Sequence, residues 1–369
     1  MAKACKQNDF GRSSKEEVTI SRATLIWRAA KLPMYTVALI PLTVGTAAAY
    51  LESGYYSLER YLILLASFVL VNLWVNLSND VYDFDTGADK NKRESVVNLV
   101  GSRTIIHVIS WLLLALGFAG CCWIGAEAKN PRAILLLTSG IFCGYIYQCP
   151  PYHLSYYGLG EPLCFAALGP FCTFGSYLLQ NTSSELPISG TIVSSSILVG
   201  FTSALILFCS HFHQIEDDKA VGKISPLVRL GTENGSKVVK VAVLGLYCLV
   251  FGLGLTQTLP FSCIVFCAMT LPMGNLVVSF VQNNHKDNSK IFMAKYYSLR
   301  FKIFDAFDFL FFPKILVTFA FQGLLGLCMS MLFYLVMSCL IHFVADHFSP
   351  ASTSQPPCRL FGSDCPSSP

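Results

Sequence analysis

Long apolar stretches alternate with short polar segments along most of the chain. Each stretch is roughly as long as the 20 residues that a helix needs to cross the hydrocarbon core of a bilayer. Nine are expected to form helices, at positions 32–50, 61–79, 105–124, 133–149, 162–179, 191–212, 239–258, 260–281 and 311–344. The ten-residue alternation typical of a membrane β-barrel is absent from the sequence. The pattern predicts an all-α, polytopic membrane protein with about nine transmembrane helices.

Composition and charge agree with a protein that lies in a lipid bilayer. Hydrophobic residues make up 53% of the chain and charged residues only 13%, whereas soluble proteins carry about 25% charged residues. If all nine stretches cross the membrane, 22 of the 26 Lys and Arg residues fall on one side. That side is expected to face the cytoplasm or its organellar equivalent. No nucleic-acid partner is expected.

The first concentration of polar chemistry follows the second apolar stretch. The segment "NDVYDFDTGAD", residues 79–89, places Asp80, Asp83, Asp85 and Asp89 close together. Asn79 and Asp83 have the i, i+4 spacing that puts two side chains on one face of a helix. Glycine favours the backbone conformation in which helices end, so the helix is expected to stop at residue 87.

A second cluster follows the sixth apolar stretch. In "QIEDDKAVGK", residues 214–223, Gln214 and Asp218 repeat the i, i+4 spacing, with Glu216 and Asp217 between them. Both clusters come after an even-numbered stretch. They are therefore expected at the same, lysine-rich side of the membrane.

Crowded oxygen ligands at a membrane surface favour a hard cation. Mg²⁺ takes one or two carboxylates and completes its shell with water and substrate phosphates. The neighbouring cations, Lys90, Lys92, Arg93, Lys219 and Lys223, suit the remaining phosphate oxygens. A solvated charged loop would explain one such cluster, but two matched clusters favour a metal–diphosphate site.

The two motifs resemble the aspartate-rich motifs of the UbiA superfamily of intramembrane aromatic prenyltransferases. The fuller strings "NLSNDVYDFDTGADKNKRESVVNLVGSR" and "DDKAVGKISPLVRLG" are most similar to its dihydroxynaphthoate branch. The resemblance covers roughly Ala29 to Tyr296. It implies nine helices around a central cavity, with both motifs at one end and the prenyl tail among the helices.

The resemblance also implies roles for individual residues. Asp83 and Asp218 would be the catalytic carboxylates, and five Lys and Arg residues would bind the substrate diphosphate: Lys90, Lys92, Arg93, Lys219 and Lys223. The Mg²⁺ ligands and their supports would be Asn79, Asp80, Asp83, Asp89, Gln214 and Asp218. The family has Asp at the position of Gln214, whose amide oxygen can bind a metal but brings no charge.

A third segment, Tyr145–Glu161, lies in the loop after the fourth stretch. Relatives carry Arg or Lys shortly after its prolines, whereas this chain has His153, so a contribution of this loop to diphosphate binding would depend on pH. Together with His153, Tyr147 and Tyr152 are expected to line the pocket of the aromatic acceptor. The alternative is an aromatic belt at the membrane interface.

The function that follows is a Mg²⁺-dependent prenyl transfer. The resemblance implies a prenyl group, here expected to be phytyl, moving from its diphosphate to 1,4-dihydroxy-2-naphthoate with loss of CO₂ and diphosphate, in phylloquinone or menaquinone biosynthesis. The alternatives are another acceptor (homogentisate, hydroxybenzoate or a chlorophyllide), a non-catalytic homologue, or a cation transporter with carboxylates along its ion path.

The resemblance also divides the chain into regions. Residues 29–296 form the expected prenyltransferase domain. Residues 1–28 are a polar segment, in which no full-length transit peptide is recognised. Residues 297–345 form an atypical, Phe-rich hydrophobic segment, and residues 346–369 are expected to be disordered. The expected location is a chloroplast membrane, with the motifs on the stromal side.

Overall fold

The computed structural model describes residues 36–88, 95–180, 187–259 and 261–291, together with Ala294, Tyr297 and Ser298. Within these residues every regular element is helical, which confirms the predicted all-α class. The helices are α1 (Thr36–Ser53), α2 (Leu58–Thr86), α3 (Val96–Val100), α4 (Arg103–Glu127), α5 (Pro131–Gln148), α6 (Gly160–Leu179), α7 (Gly190–His211), α8 (Ile215–Ala220), α9 (Pro226–Leu255), α10 (Phe261–Met269), α11 (Leu271–Asn284) and α12 (Asn288–Ile291).

In the part of the chain that the structure describes, five helical segments are long and apolar enough to cross a membrane: α2, α4, α6, α7 continued by α8, and α9. Helix α4 also exposes Leu112, Leu116 and Trp123 by 58%, 62% and 70%. Such an exposed apolar surface suits contact with lipid. Helices cover most of each of the first eight predicted stretches. The ninth, 311–344, lies outside the described residues, so the count of nine stays a prediction.

Helix α2 is longer than predicted, and its extension carries the first acidic cluster. It begins after Ser57, whose side chain accepts a hydrogen bond from the amide of Arg60. It ends at Gly87, which has a φ of 83°, a conformation that only glycine adopts without steric cost. The predicted end at Gly87 is confirmed. The last two turns of α2 thus present Asn79 and Asp83 from a continuous helix.

The second cluster lies on a broken helix. Helix α7 ends at His211, the turn Phe212–Gln214 is a 3₁₀-helix, and α8 continues from Ile215. A 3₁₀ turn has three residues per turn, so it rotates the side chains that follow relative to those of α7. Gln214 is the last residue of this turn, whereas Asp218 lies within α8.

Small residues allow the central helices to approach closely. In α6, the π-helical segment Ala167–Thr173 contains Pro170. A Cβ added to Gly169 in this segment would lie 2.7 Å from the backbone oxygen of Ser196 and 2.8 Å from the Cα of Gly200, both on α7. Close approach through small residues is typical of helices packed in membranes. It draws α6 and α7 together beside the cavity described below.

Candidate active site

A cavity of about 320 Å³ lies among α1, α2, α4, α5, α6 and α7. Apolar side chains such as Phe68, Leu137 and Leu168 line part of it. Asn79, Asp83, Gln148, Gln214 and Lys223 contribute polar groups. Since Phe68 and Asp83 both lie on α2, fifteen residues apart, the lining extends about 22 Å along that helix.

The first cluster presents a linked amide and carboxylate to this cavity. The Nδ2 of Asn79 donates to the Oδ2 of Asp83 at 2.6 Å. The hydroxyl of Tyr156 lies 3.4 Å from the Oδ1 of Asp83 and is oriented to donate to it. The i, i+4 pairing expected from the sequence thus exists, and both members line the cavity.

The other aspartates of the first cluster have different surroundings. Asp80 is 1% exposed, and its Oδ2 accepts a hydrogen bond from the amide of Val96 at 3.1 Å. Asp85 forms two hydrogen bonds with Arg103, at 3.1 and 2.6 Å, near the surface. Neither aspartate lines the cavity. The contact of Asp80 suits a residue that fixes the start of α3, and its predicted support of a metal stays a prediction.

The second cluster contains a buried ion pair, of which Lys223 lines the same cavity and Asp218 does not. The Nζ of Lys223 lies 3.2 Å from the Oδ1 of Asp218, and both side chains are less than 10% exposed. The Oδ2 of Asp218 is buried and has no hydrogen-bond partner among the described residues. Gln214 and Lys223 line the cavity.

The remaining charges of the second cluster point away from this pair. Lys219 is 48% exposed and bonds to Glu216 at 3.1 Å on the surface. Asp217 is exposed as well. The predicted diphosphate ligands therefore separate into a buried Lys223 and an exposed Lys219. Asp89, Lys90, Lys92 and Arg93 lie outside the described residues.

Tyr156 connects the two clusters, and the sequence analysis did not identify it. Its hydroxyl contacts the carboxylate of Asp83 and lies 2.7 Å from Thr86 Oγ1, and its ring centroid is 5.7 Å from Lys223 Nζ. Burial, reinforced by the charges of Asp83 and Asp218, raises the pKa of Tyr156 to about 12. Its phenol therefore remains protonated at neutral pH and can donate a hydrogen bond.

The other residues of the third segment lie at different depths. Tyr147 lines the cavity, and its role in the acceptor pocket stays a prediction. Tyr152 is 47% exposed and packs against Tyr145 instead. The ring of His153 stands edge-on to Tyr82 and Tyr156. Burial lowers the pKa of His153, although the charge of Asp83 opposes the shift. The imidazole is therefore neutral near pH 7, and neither Tyr152 nor His153 lines the cavity.

Three further polar features near the cavity were also missed. Asn72 and Asn76 line it one helical turn apart, within the apolar part of α2. His211 Nδ1 lies 3.1 Å from Glu161 Oε1, a buried link between α7 and α6. Gln148, the last residue of α5, lines the cavity as well. The positions of these polar residues depend on how the helices pack and not on a sequence motif. Only Asn72 and Asn76, which precede Asn79 at helical spacing, could have been recognised from the sequence.

Similarity to known proteins identifies the family of this chain. The pattern of the UbiA prenyltransferase family matches residues 38–299. The chain belongs to the UbiA prenyltransferase family. The resemblance inferred from the two motifs and the prediction of a prenyltransferase are thereby confirmed.

Two relatives and one solved structure are similar to this chain. It is 61% identical over 299 residues to the chloroplastic 2-carboxy-1,4-naphthoquinone phytyltransferase of Arabidopsis thaliana, covering 80% of this chain and 78% of the relative. It is 40% identical to the phytyltransferase of the same name from Synechocystis, covering 76% and 90%. A UbiA homologue from Archaeoglobus fulgidus, solved with DMAPP and Mg²⁺, has the same fold with a TM-score of 0.55 at 18% identity, covering 78% and 99%.

The described side chains suit a metal that arrives together with its substrate. In this part of the chain, no three His, Cys, Asp or Glu side chains converge on one point. Mg²⁺ rarely uses such a cage and prefers one or two carboxylates with phosphate oxygens and water. Asp83 and the unpartnered Oδ2 of Asp218 supply carboxylate oxygens, and Asn79 and Gln214 can supply amide oxygens.

Proposed function

We propose that this enzyme transfers a phytyl group from phytyl diphosphate to 1,4-dihydroxy-2-naphthoate, with Mg²⁺ bound at the two clusters. The observation that carries the proposal is that Asp83 and Lys223 line one cavity and both contact Tyr156, while Lys223 also pairs with the buried Asp218. The names of the two relatives support a naphthoate-type acceptor and a phytyl donor. Membership in a prenyltransferase family favours this function over a cation transporter or a non-catalytic homologue.

The reacting form of the acceptor follows from the chemistry of the bond that forms. The relatives are named for a carboxynaphthoquinone, whose carbonyl groups withdraw electrons from the ring. An allylic cation is captured by an electron-rich carbon, and the two hydroxyl groups of the dihydroxy form donate electrons to the ring. We therefore assign the dihydroxynaphthoate, rather than the quinone, as the acceptor that reacts.

The bonds and charges balance without an added base. The C–O bond between the prenyl group and the diphosphate breaks, and a C–C bond forms at the ring carbon that carries the carboxylate. The bond between this ring carbon and the carboxylate then breaks and CO₂ leaves. The electron pair of the broken bond restores the aromatic ring. No ring proton has to be removed, so none of the carboxylates at the site needs to act as a base.

The residues at the mouth of the cavity take up the charge of the leaving group. When bound, Mg²⁺ supplies the positive charge that stabilises a departing diphosphate. Lys223 adds a buried ammonium group, whose attraction for phosphate oxygens is strengthened by exclusion of water. Asp83 and Asp218, with Asn79 and Gln214, hold the metal. Asp80 and Asp89 retain the predicted role of supporting the metal. Lys90, Lys92, Arg93 and Lys219 retain the predicted role of binding the diphosphate.

The apolar part of the cavity protects the reactive cation. Phe68, Leu137 and Leu168 offer no nucleophile, and their surface favours a hydrocarbon chain over water. Tyr147 lines the same cavity as Asn79 and Asp83 of the first cluster, and the acceptor ring has to meet the cation in this cavity. Its ring can pack against a naphthalene ring.

The place of the enzyme in the cell follows from the charge distribution and the relatives. The chloroplastic relative and the apolar helices support a multi-pass protein of a chloroplast membrane. The side rich in Lys and Arg would face the stroma, which puts both clusters there. The proposal also includes nine spanning helices and a catalytic domain of residues 29–296. An atypical hydrophobic segment, 297–345, and a disordered tail, 346–369, follow this domain in the proposal.

A membrane assay tests this function. Membranes that contain the protein are incubated with phytyl diphosphate, dihydroxynaphthoate and Mg²⁺, and the product mass is measured. The proposal predicts a product that lacks the mass of CO₂ relative to simple addition, and no product in EDTA. Product from homogentisate, hydroxybenzoate or a chlorophyllide alone would contradict the acceptor, and product formation in EDTA would contradict the metal.

A further inference from the structure

Gln148, a residue of the cavity lining, has a side-chain oxygen without a hydrogen-bond partner among the described residues. It is the last residue of α5, is 2% exposed and lines the cavity beside Tyr147. Its side-chain oxygen, Oε1, is buried and has no hydrogen-bond partner among the described residues. A buried polar atom without a partner is unfavourable, so its presence at a cavity points to a ligand that supplies a donor.

The hydrogen bonds around Gln148 fix which end of its amide is available. Ser78 Oγ donates its single hydrogen to the carbonyl oxygen of Trp74 at 2.6 Å. Ser78 can therefore only accept from Gln148, which requires the Nε2 end of the amide to face it, and a short hydrogen bond joins the two. If the amide turned over, Ser78 would have to give up its hydrogen bond to Trp74 in order to donate to Oε1. The end of the amide that is left without a partner, on a residue that lines the cavity, is thus the acceptor Oε1.

Gln148 is held next to the first acidic cluster through its contact with Ser78. Ser78, which holds the Gln148 amide, directly precedes Asn79 of the first cluster. Tyr147, the neighbour of Gln148, lines the same cavity as Asp83. Gln148 therefore stands near the level at which the diphosphate leaves and the acceptor ring attacks.

We propose that Gln148 is a specificity-determining residue that accepts a hydrogen bond from a ring hydroxyl of the aromatic acceptor. The inference rests on the proposed function, because it concerns the same acceptor site. A hydroxyl group satisfies Oε1, whereas the carbonyl oxygen of a quinone or a methyl ether brings no hydrogen to it. Gln148 thus selects the reduced, dihydroxy form, which is the form whose ring is electron-rich enough to react.

The test compares the dihydroxy acceptor with compounds in which a methyl group replaces the hydrogen of one hydroxyl group. The purified enzyme is given 1,4-dihydroxy-2-naphthoate or either of its two mono-O-methyl ethers, and both the Kd and kcat/KM are measured. The wild type is expected to prefer the dihydroxy compound over one of the ethers by about tenfold or more. Gln148→Met preserves the length of the side chain but removes the oxygen, so that preference should fall to within about twofold.

Two variants control this comparison. Gln180→Met makes the same change at a glutamine that is 1% exposed but does not line the cavity, and it should keep the wild-type preference. Ser78→Ala leaves Gln148 in place but frees its amide to turn, and it should reduce the preference only in part. It also serves as the deciding variant if Gln148→Met does not fold.

The outcomes separate this inference from the proposed function. An unchanged preference in Gln148→Met, or in Ser78→Ala if that is the deciding variant, overturns the role of Gln148 even when product forms normally. The absence of any preference in the wild type overturns it as well. If the wild type binds the dihydroxy compound selectively through Gln148 but transfers no prenyl group, the recognition stands and the proposed reaction fails.

Discussion

The two acidic clusters meet at the same cavity but are built in different ways. The first lies on the last turns of the continuous helix α2, where Asp83 receives hydrogen bonds from the neutral side chains of Asn79 and Tyr156. The second follows the break between α7 and α8, where Asp218 pairs with the buried Lys223. Among the described side chains, Asp83 makes no ion pair, whereas the charge of Asp218 is already balanced.

This difference assigns different tasks to the two clusters. A carboxylate that is held by neutral donors keeps its negative charge available, so the first cluster is the stronger attractant for a cation. The Asp218–Lys223 pair is neutral as a whole, and its lysine can turn toward an arriving phosphate. The first cluster is therefore expected to govern the metal, and the second to govern the diphosphate.

Removal of the Asp83 charge should have the largest effect. Asp83→Asn preserves the shape of the side chain but weakens the metal site, so kcat/KM should fall by about 10²–10³-fold. A titration of initial rate against Mg²⁺ measures it. Asp217→Asn is the matched control, because Asp217 is exposed and should tolerate the change. Full activity of Asp83→Asn at limiting Mg²⁺ would refute the assignment.

Loss of the buried lysine should weaken both the fold and diphosphate binding. Lys223→Met leaves Asp218 charged and buried without its partner, so the free energy of unfolding should fall by about 3–5 kcal/mol. The KM for prenyl diphosphate should rise by about tenfold or more. Thermal unfolding in detergent and initial rates measure the two effects.

Lys219, which is exposed, provides the comparison for the prediction on Lys223. Lys219→Met removes the same charge from a surface pair and should change stability by less than about 1 kcal/mol. The double variant Asp218→Asn with Lys223→Met should recover stability but not activity. Equal effects of the two single lysine variants would show that burial of Lys223 has no special consequence.

Restoring a carboxylate in the second cluster should reduce the contrast between the clusters. Gln214→Asp adds a negative charge at a residue that lines the cavity. More charged ligands strengthen binding of a hard cation, so the Mg²⁺ concentration for half-maximal rate should fall by a few-fold, about three to ten. Gln214→Asn is the neutral control. A lower Mg²⁺ requirement in both variants would exclude charge as the cause.

Removal of the Tyr156 hydroxyl, which lies between the two clusters, should have the smallest effect on the rate. Tyr156→Phe retains the ring near Lys223 but removes the hydroxyl that contacts Asp83, so kcat should fall by about two- to tenfold. Because the pKa of Tyr156 is raised to about 12, the phenol stays protonated and the wild-type rate should show no ionisation of this group between pH 6 and 9. Tyr157→Phe, at an exposed neighbour, should leave the rate unchanged. A pH step that disappears only in Tyr156→Phe would contradict the account.

The sequence predicted the parts of the site that depend on local spacing. Asn79 and Asp83 share a face because they lie one helical turn apart, and Gly87 ends α2 because glycine adopts positive φ without strain. The helical class and the membrane location followed from apolar length alone. Each of these features is decided within a few residues or a single helix.

Contacts between distant residues could not be predicted in the same way. Tyr156 reaches Asp83 across 73 positions, and Gln148 reaches Ser78 across 70. Their roles depend on how α5 and the following loop pack against α2, which no local pattern specifies. Likewise, Asp80 and Asp83 look equivalent in the motif, yet packing turns Asp80 toward Val96 and leaves only Asp83 at the cavity.

Binding of an unreactive donor tests the central claim, that the crowded carboxylates hold a metal which arrives with the diphosphate. The Kd of a phytyl thiolodiphosphate analogue is measured on purified protein with Mg²⁺ and in EDTA, for the wild type and Asp83→Asn. The account predicts that Mg²⁺ tightens binding to the wild type by about 10²-fold or more, and much less to the variant. Equal affinity of the wild type in Mg²⁺ and in EDTA would contradict it.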